Sequence, residues 1–173
     1  MEKFKAGDCV NYRRNGICKV ISITKRDFGT LGETEYYELS PVYDPKTVIY
    51  VPTESPTLTQ GMRRLLSAEE IDRIIEEAEG EEICRIEDAK KRSAVYGDII
   101  TEGDPGKILR LVKELSLYRI SAEKEKKKFY ASDAKLLAAA EKAIFEEFAY
   151  VLGIERDEVI PYIMNKAESV GKA

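Results

Sequence analysis

The chain is 173 residues long, 43% hydrophobic and 35% charged, with a formal net charge of −4 and no histidine. Without an imidazole, Ser-His-Asp, Cys-His and His-metal chemistry are excluded, although carboxylate or lysine chemistry is not. A negative balance also argues against a dedicated nucleic-acid binder, so any DNA contact must come from a local basic patch.

The elements change character along the chain. From Phe4 to Tyr12, and again over Ile17–Ile23, Tyr36–Leu39 and Thr47–Val51, apolar residues alternate with polar ones, and glycine or proline falls where each strand stops. This period-two pattern predicts a small, strongly bent antiparallel β-barrel of about five strands. Asn15-Gly16 and Gly29–Gly32 supply turns, and Pro52 ends the last clear strand because proline cannot donate to a ladder. The stretch Pro52–Gly61, rich in Pro, Ser and Thr, reads as a linker, which divides the chain into residues 1–61 and 62–173. Cys9, Cys18 and Cys84 are odd in number and form no C-x-x-C pair, so they read as reduced thiols rather than a disulfide framework or zinc site.

Beyond Ser67 the period becomes helical. Ser67-Ala-Glu-Glu70 is a capping box, with Ile71, Ile74, Ile75 and Ala78 on one face and Gly80 as a stop. A less regular stretch, Glu81–Tyr96, also reads as helical. Asp104-Pro105 opens a helix with Ile108, Leu111, Val112, Leu115 and Tyr118 inward. The longest helix is expected from Ser132 to Leu152, closed by Gly153, and a last one from Glu155 to Glu168, kinked or started late by Pro161. The fold class is therefore α+β in two domains, a small antiparallel β-barrel followed by a compact all-α bundle. No apolar run approaches the roughly 18 residues of a membrane span. Met1-Glu2-Lys3-Phe4-Lys5 has no hydrophobic leader, and a cytoplasmic protein, most simply a monomer, is expected.

Catalytic signatures are lacking: there is no P-loop, no G-x-G-x-x-G and no metal-spaced carboxylate cluster, and the adjacent pairs Glu76-Glu77 and Glu146-Glu147 face different ways on a helix. No enzyme, cofactor or metal is expected. Two basic runs stand out. Lys90, Lys91 and Arg92 read either as a solvated helix face balancing Glu81, Glu82, Glu87 and Asp88 or as phosphate contacts. Lys124, Lys126, Lys127 and Lys128 read as a solvated connection or as a second DNA-facing patch. Lys135 and Lys142, seven apart on the long helix, could extend either.

The order Phe4-x-x-Gly7-Asp8-x-Val10-x-Tyr12, Gly16-x-x-x-Val20, Tyr36-Tyr37-x-Leu39 and Val48-Ile49-Tyr50-Val51-Pro52 resembles the CarD/CdnL family. Ala131-Ser132-Asp133 through Glu147 resembles a pattern of that family's helical half, and Glu102-Gly103-Asp104 stands where its Ser-Gly-Asp is common. The resemblance implies a Tudor-like N-terminal module, shared with the transcription-repair coupling factor, that docks on the RNA polymerase β subunit through an exposed strand edge. It places the polymerase contacts at Thr24, Arg26, Val48 and Tyr50, where many relatives carry arginine in place of Tyr50.

The same resemblance implies DNA contacts at Ala89, Lys90, Lys91 and Arg92, extended by Lys135 and Lys142, and a function in modulating open promoter complexes. Relatives carry at the position of Ala89 a tryptophan that wedges into the upstream minor groove. This chain has no tryptophan. An alanine cannot fill an unstacked base step, so weakened or altered stabilisation of open complexes is expected. The alternative is an interaction module that keeps the barrel and meets a partner other than polymerase.

Overall fold

The computed structural model describes residues 3–29, 32–80 and 83–171, and divides the chain into two units, residues 1–65 and 66–173. In the first, strands β1 (Cys9–Tyr12), β2 (Ile17–Asp27), β3 (Glu33–Pro41), β4 (Ile49–Pro52) and β5 (Met62–Arg64) form one antiparallel sheet in the order β4-β3-β2-β1-β5. The expected turns fall where glycine allows them, although Thr30 and Leu31 of the β2–β3 connection lie outside the described residues.

Phe4, Val10, Tyr12, Cys18, Val20, Tyr37, Leu39, Val51 and Met62 meet in one core, so even the two edge strands bury side chains together, as in a barrel. Residue Ile21 interrupts the alternation. The β2–β3 register shifts between Val20 and Ser22, a bulge that keeps Val20 in the core while leaving Ile21 exposed.

The stretch expected as a linker belongs to this unit instead. Pro56–Thr59 forms the one-turn helix α1, and β5 follows it directly to pair with β1. Gly61 marks a close approach rather than a break. Its carbonyl accepts from the Arg13 amide at 3.2 Å, and a Cβ there would fall 2.7 Å from Arg13 Cγ. The Arg13 guanidinium reaches the Thr57 carbonyl and ties α1 to the end of β1.

The second unit contains helices α2 (Ala68–Gly80), α3 (Ala89–Glu102), α4 (Pro105–Lys124), α5 (Ala131–Leu152) and α6 (Val159–Gly171). The starts of α2 and α4 are those the caps dictate. Ser67 and Glu70 exchange both bonds of the capping box at 2.8 and 3.2 Å, and Asp104 accepts from the Lys107 amide at 2.8 Å ahead of Pro105. Gly153, at φ 65°, closes α5. Pro161 sits in the first turn of α6, where its missing N–H is not needed.

Ile71, Ile75, Tyr96, Leu111, Leu115, Ala140, Ile144 and Phe148 are among the residues of a single core. Two polar clasps complete it. Buried Glu147 accepts from the Leu66 amide at 3.0 Å, and Asp72 takes the Tyr162 hydroxyl and the Lys166 ammonium, each at 2.6 Å, fastening α6 to α2. The helix expected over Glu81–Tyr96 begins only at Ala89. Asp88 caps it by accepting from the Lys91 amide at 2.7 Å, and the Ile86 and Glu87 carbonyls turn to the Arg92 guanidinium instead of into a helix. Glu81 and Glu82 lie outside the described residues.

Candidate functional site

The sheet unit has a second face, opposite its core. Pairing places Thr24 opposite Tyr36 and Tyr36 opposite Pro52, Ser22 opposite Glu38 and Glu38 opposite Tyr50, and Arg26 opposite Thr34. Directly opposed residues point the same way, so these side chains share one surface. Tyr36 is only 6% exposed there because an aromatic layer covers it. Phe28 stands edge-on to Tyr36 with centroids 5.1 Å apart, Tyr50 closes the triangle at 5.3 Å from Phe28 and 6.3 Å from Tyr36, and the Arg26 guanidinium lies 5.9 Å from the Tyr50 ring centre. Phe28 itself is 54% exposed.

Three of the four expected polymerase contacts thus meet on this face: Thr24, half-buried beside Tyr36, exposed Arg26, and Tyr50. Arg26 lies inside β2, which runs on to Asp27, past the alternating run Ile17–Ile23. Val48, exposed, precedes the first residue of β4. The sequence pattern singled out none of Phe28's contribution, since Phe28 follows the last strand residue and belongs to no alternating run. Among the described residues β4 has a strand neighbour on one side only, the arrangement that lets a partner strand add to a sheet.

Residues 4–66 match the CarD-like/TRCF RID domain. The match covers the whole sheet, α1 and β5 included, and a little over a third of the chain. A RID domain indicates a transcription regulator that interacts with RNA polymerase, and CarD-like proteins are regulators rather than enzymes. No curated protein matches the chain. Among the described residues no helix is long and apolar enough to cross a membrane. Cys18 in the RID core is an inert thiol, pushed up to about 11 by burial.

In the helical unit the basic run splits. Ala89, Lys90 and Lys91 are exposed at the first turn of α3. Arg92 is not, and the phosphate contact expected of it is withdrawn: the side chain is 2% exposed, with Nε and Nη2 on the two Asp133 oxygens at 3.0 Å. Helical geometry explains the difference, since Arg92 projects with Tyr96 toward the core rather than with its neighbours.

Arg85 joins the same cluster, bonded to Asp133 and Glu114 at 3.1 Å each and stacked 3.2 Å from the centre of the Tyr118 ring. The Asp133 hydrogen bonds favour the charged guanidinium of Arg92 against the burial that opposes it. Burial foremost, and then the Glu114 charge, raise the Tyr96 phenol, which stays neutral. Lys135 and Lys142 are exposed on α5. Lys135 lies two residues from Asp133, which turns it away from the side of α5 that meets α3, and Lys142 lies two turns farther along.

Proposed function

We propose that this protein is a CarD-like regulator of transcription initiation that docks on the RNA polymerase β subunit and contacts upstream promoter DNA. The observation that carries the reading is the Arg26–Phe28–Tyr50 patch beside the β4 edge of a RID domain. A rigid aromatic pair with an arginine is the composition of an interface anchor, and the open edge offers backbone bonds for an added strand. The docking contacts are assigned to Thr24, Arg26, Val48 and Tyr50. Lys90, Lys91, Lys135 and Lys142 supply non-specific phosphate contacts, which position the protein on DNA without reading sequence. The effect is on the balance between closed and open promoter complexes, and a ligand shifts that balance only by its differential affinity for the two.

Full-length protein should bind the β subunit, and Arg26→Glu should abolish that binding in a pull-down or calorimetric titration. Binding that is indifferent to the substitution, or no binding, would instead favour an interaction module with another partner. Ala89 is small and exposed, and the resemblance assigns it the position of the family's wedge. Ala89→Trp should therefore lengthen the lifetime of open complexes relative to the natural chain. Equal lifetimes would remove the inference that the natural chain is a weakened stabiliser.

A further inference from the structure

Two segments far apart in sequence meet where α3 and α5 begin. The Arg92–Asp133 pair joins the first turn of one helix to that of the other, and Arg85, just ahead of α3, bonds the same carboxylate. The connection entering α5 lies against this junction. Phe129, in that connection, packs on Tyr118, over whose ring the Arg85 guanidinium lies, and Lys127 is held by Glu125 at 2.5 Å. Residues 85–92 and 124–135 together hold nine cationic and four anionic side chains, of which Arg85, Arg92 and Asp133 are bonded to one another, on a chain whose net charge is −4. One aromatic side chain stands in this basic end with half its surface exposed: Tyr130, with the Lys128 ammonium 5.8 Å from its ring centre. Its neighbour Phe129 packs inward on Tyr118 at 5.9 Å, so the segment is anchored while the Tyr130 ring is presented outward.

The backbone carries a second sign. Lys126 has φ 54°, a left-handed conformation at the end of α4 that glycine adopts freely and a lysine does not. The amide of Lys127 then reaches back to the Ala122 carbonyl at 2.8 Å, closing the helix in the manner usually given to glycine. A lysine therefore stands where the backbone favours glycine, at some cost in stability.

We propose that this end of the helical unit binds partly unpaired DNA, with Tyr130 stacking on an exposed base and Lys90, Lys91, Lys126, Lys127 and Lys128 neutralising phosphates. The inference rests on the DNA-contacting reading above and adds to it the residue that engages a base. Acidic Glu87, Asp88 and Glu125 border the patch, so binding is modest and steeply weakened by salt. Stacking is tolerant of sequence because every base has a π-face.

Fluorescence anisotropy with full-length protein, on a synthetic duplex containing a non-complementary stretch and on its fully paired counterpart, tests this. Tyr130→Ala should weaken binding to the unpaired probe by about tenfold and leave the paired probe unchanged, while Tyr130→Phe keeps both. Lys126→Gly should raise the urea midpoint and lower the salt slope by about one. Equal affinity of Tyr130→Ala and the natural chain for the unpaired probe, with Lys90→Ala/Lys91→Ala still weakening both probes, overturns the stacking role alone. Absence of salt-dependent binding by the natural chain overturns the DNA reading and this inference with it. Displacement of the probe by polyglutamate as effectively as by DNA would make the patch a surface for acidic protein, and overturns the inference also.

Discussion

Asp133→Ala is expected to destabilise the helical unit by about 3–5 kcal/mol, the magnitude seen when one partner of a buried ion pair is removed. Asp133 and Arg92 are 1% and 2% exposed, and the carboxylate serves both Arg92 and Arg85. Its removal leaves the Arg92 guanidinium buried with two backbone carbonyls and no counter-charge, whereas Arg85 keeps Glu114. The loss should be read from urea unfolding followed by the helical circular dichroism signal. Arg92→Met combined with Asp133→Leu should recover most of it, because exchanging a desolvated pair for apolar volume removes both penalties together. A loss below about 1 kcal/mol, the value typical of exposed pairs, would show that water reaches the pair. The same variant should loosen the segment Ile83–Asp88 and so disturb the first turn of α3, where Lys90 and Lys91 are presented.

Phe28→Ala should weaken binding to the polymerase β subunit by about 30-fold, the effect of losing roughly 2 kcal/mol at a central aromatic anchor. Two contributions add. The ring is largely exposed and available to a partner, and it also fixes Tyr50 and covers Tyr36. Phe28→Leu tests which dominates: it keeps apolar area but gives up the edge-on ring geometry, so an intermediate loss is expected. The variant should unfold at nearly the same urea concentration as the natural chain, since Phe28 lies outside the sheet's core. An unchanged affinity for the β subunit would place docking elsewhere on the sheet.

The particular residues explain what the sequence revealed. Ser67, Glu70, Asp104, Pro105 and Gly153 act within three or four residues of themselves, so their caps and stops could be read locally and correspond to real helix ends. What escaped depends on partners far along the chain. Lys90, Lys91 and Arg92 look alike in sequence, yet Asp133, 41 residues on, draws only the third inward. The spacing from Arg92 to the inward Tyr96 was the available signal.

β5 was missed because three residues, Met62–Arg64, are too short to show alternation, and its place is set by pairing with β1. Phe28 escaped because its role is written in Tyr36 and Tyr50, on strands that fold back to it. The helix expected over Glu81–Tyr96 failed at Ile86 and Glu87, whose carbonyls are taken by a side chain rather than by the backbone.

The open side of β4 is narrow by construction. Thr53 donates its amide to the Glu35 carbonyl on β3, so alternation turns the nitrogen of Pro52 and the amide of Tyr50 to the free side. Proline has nothing to donate there, which leaves Tyr50 as the one outward donor within the four-residue strand. A visiting strand can be held over a residue or two, with its selectivity drawn from side chains, but a second copy of this sheet could not zip along it. The protein can thus offer an edge to its partner while resisting the runaway stacking by which exposed edges seed fibres.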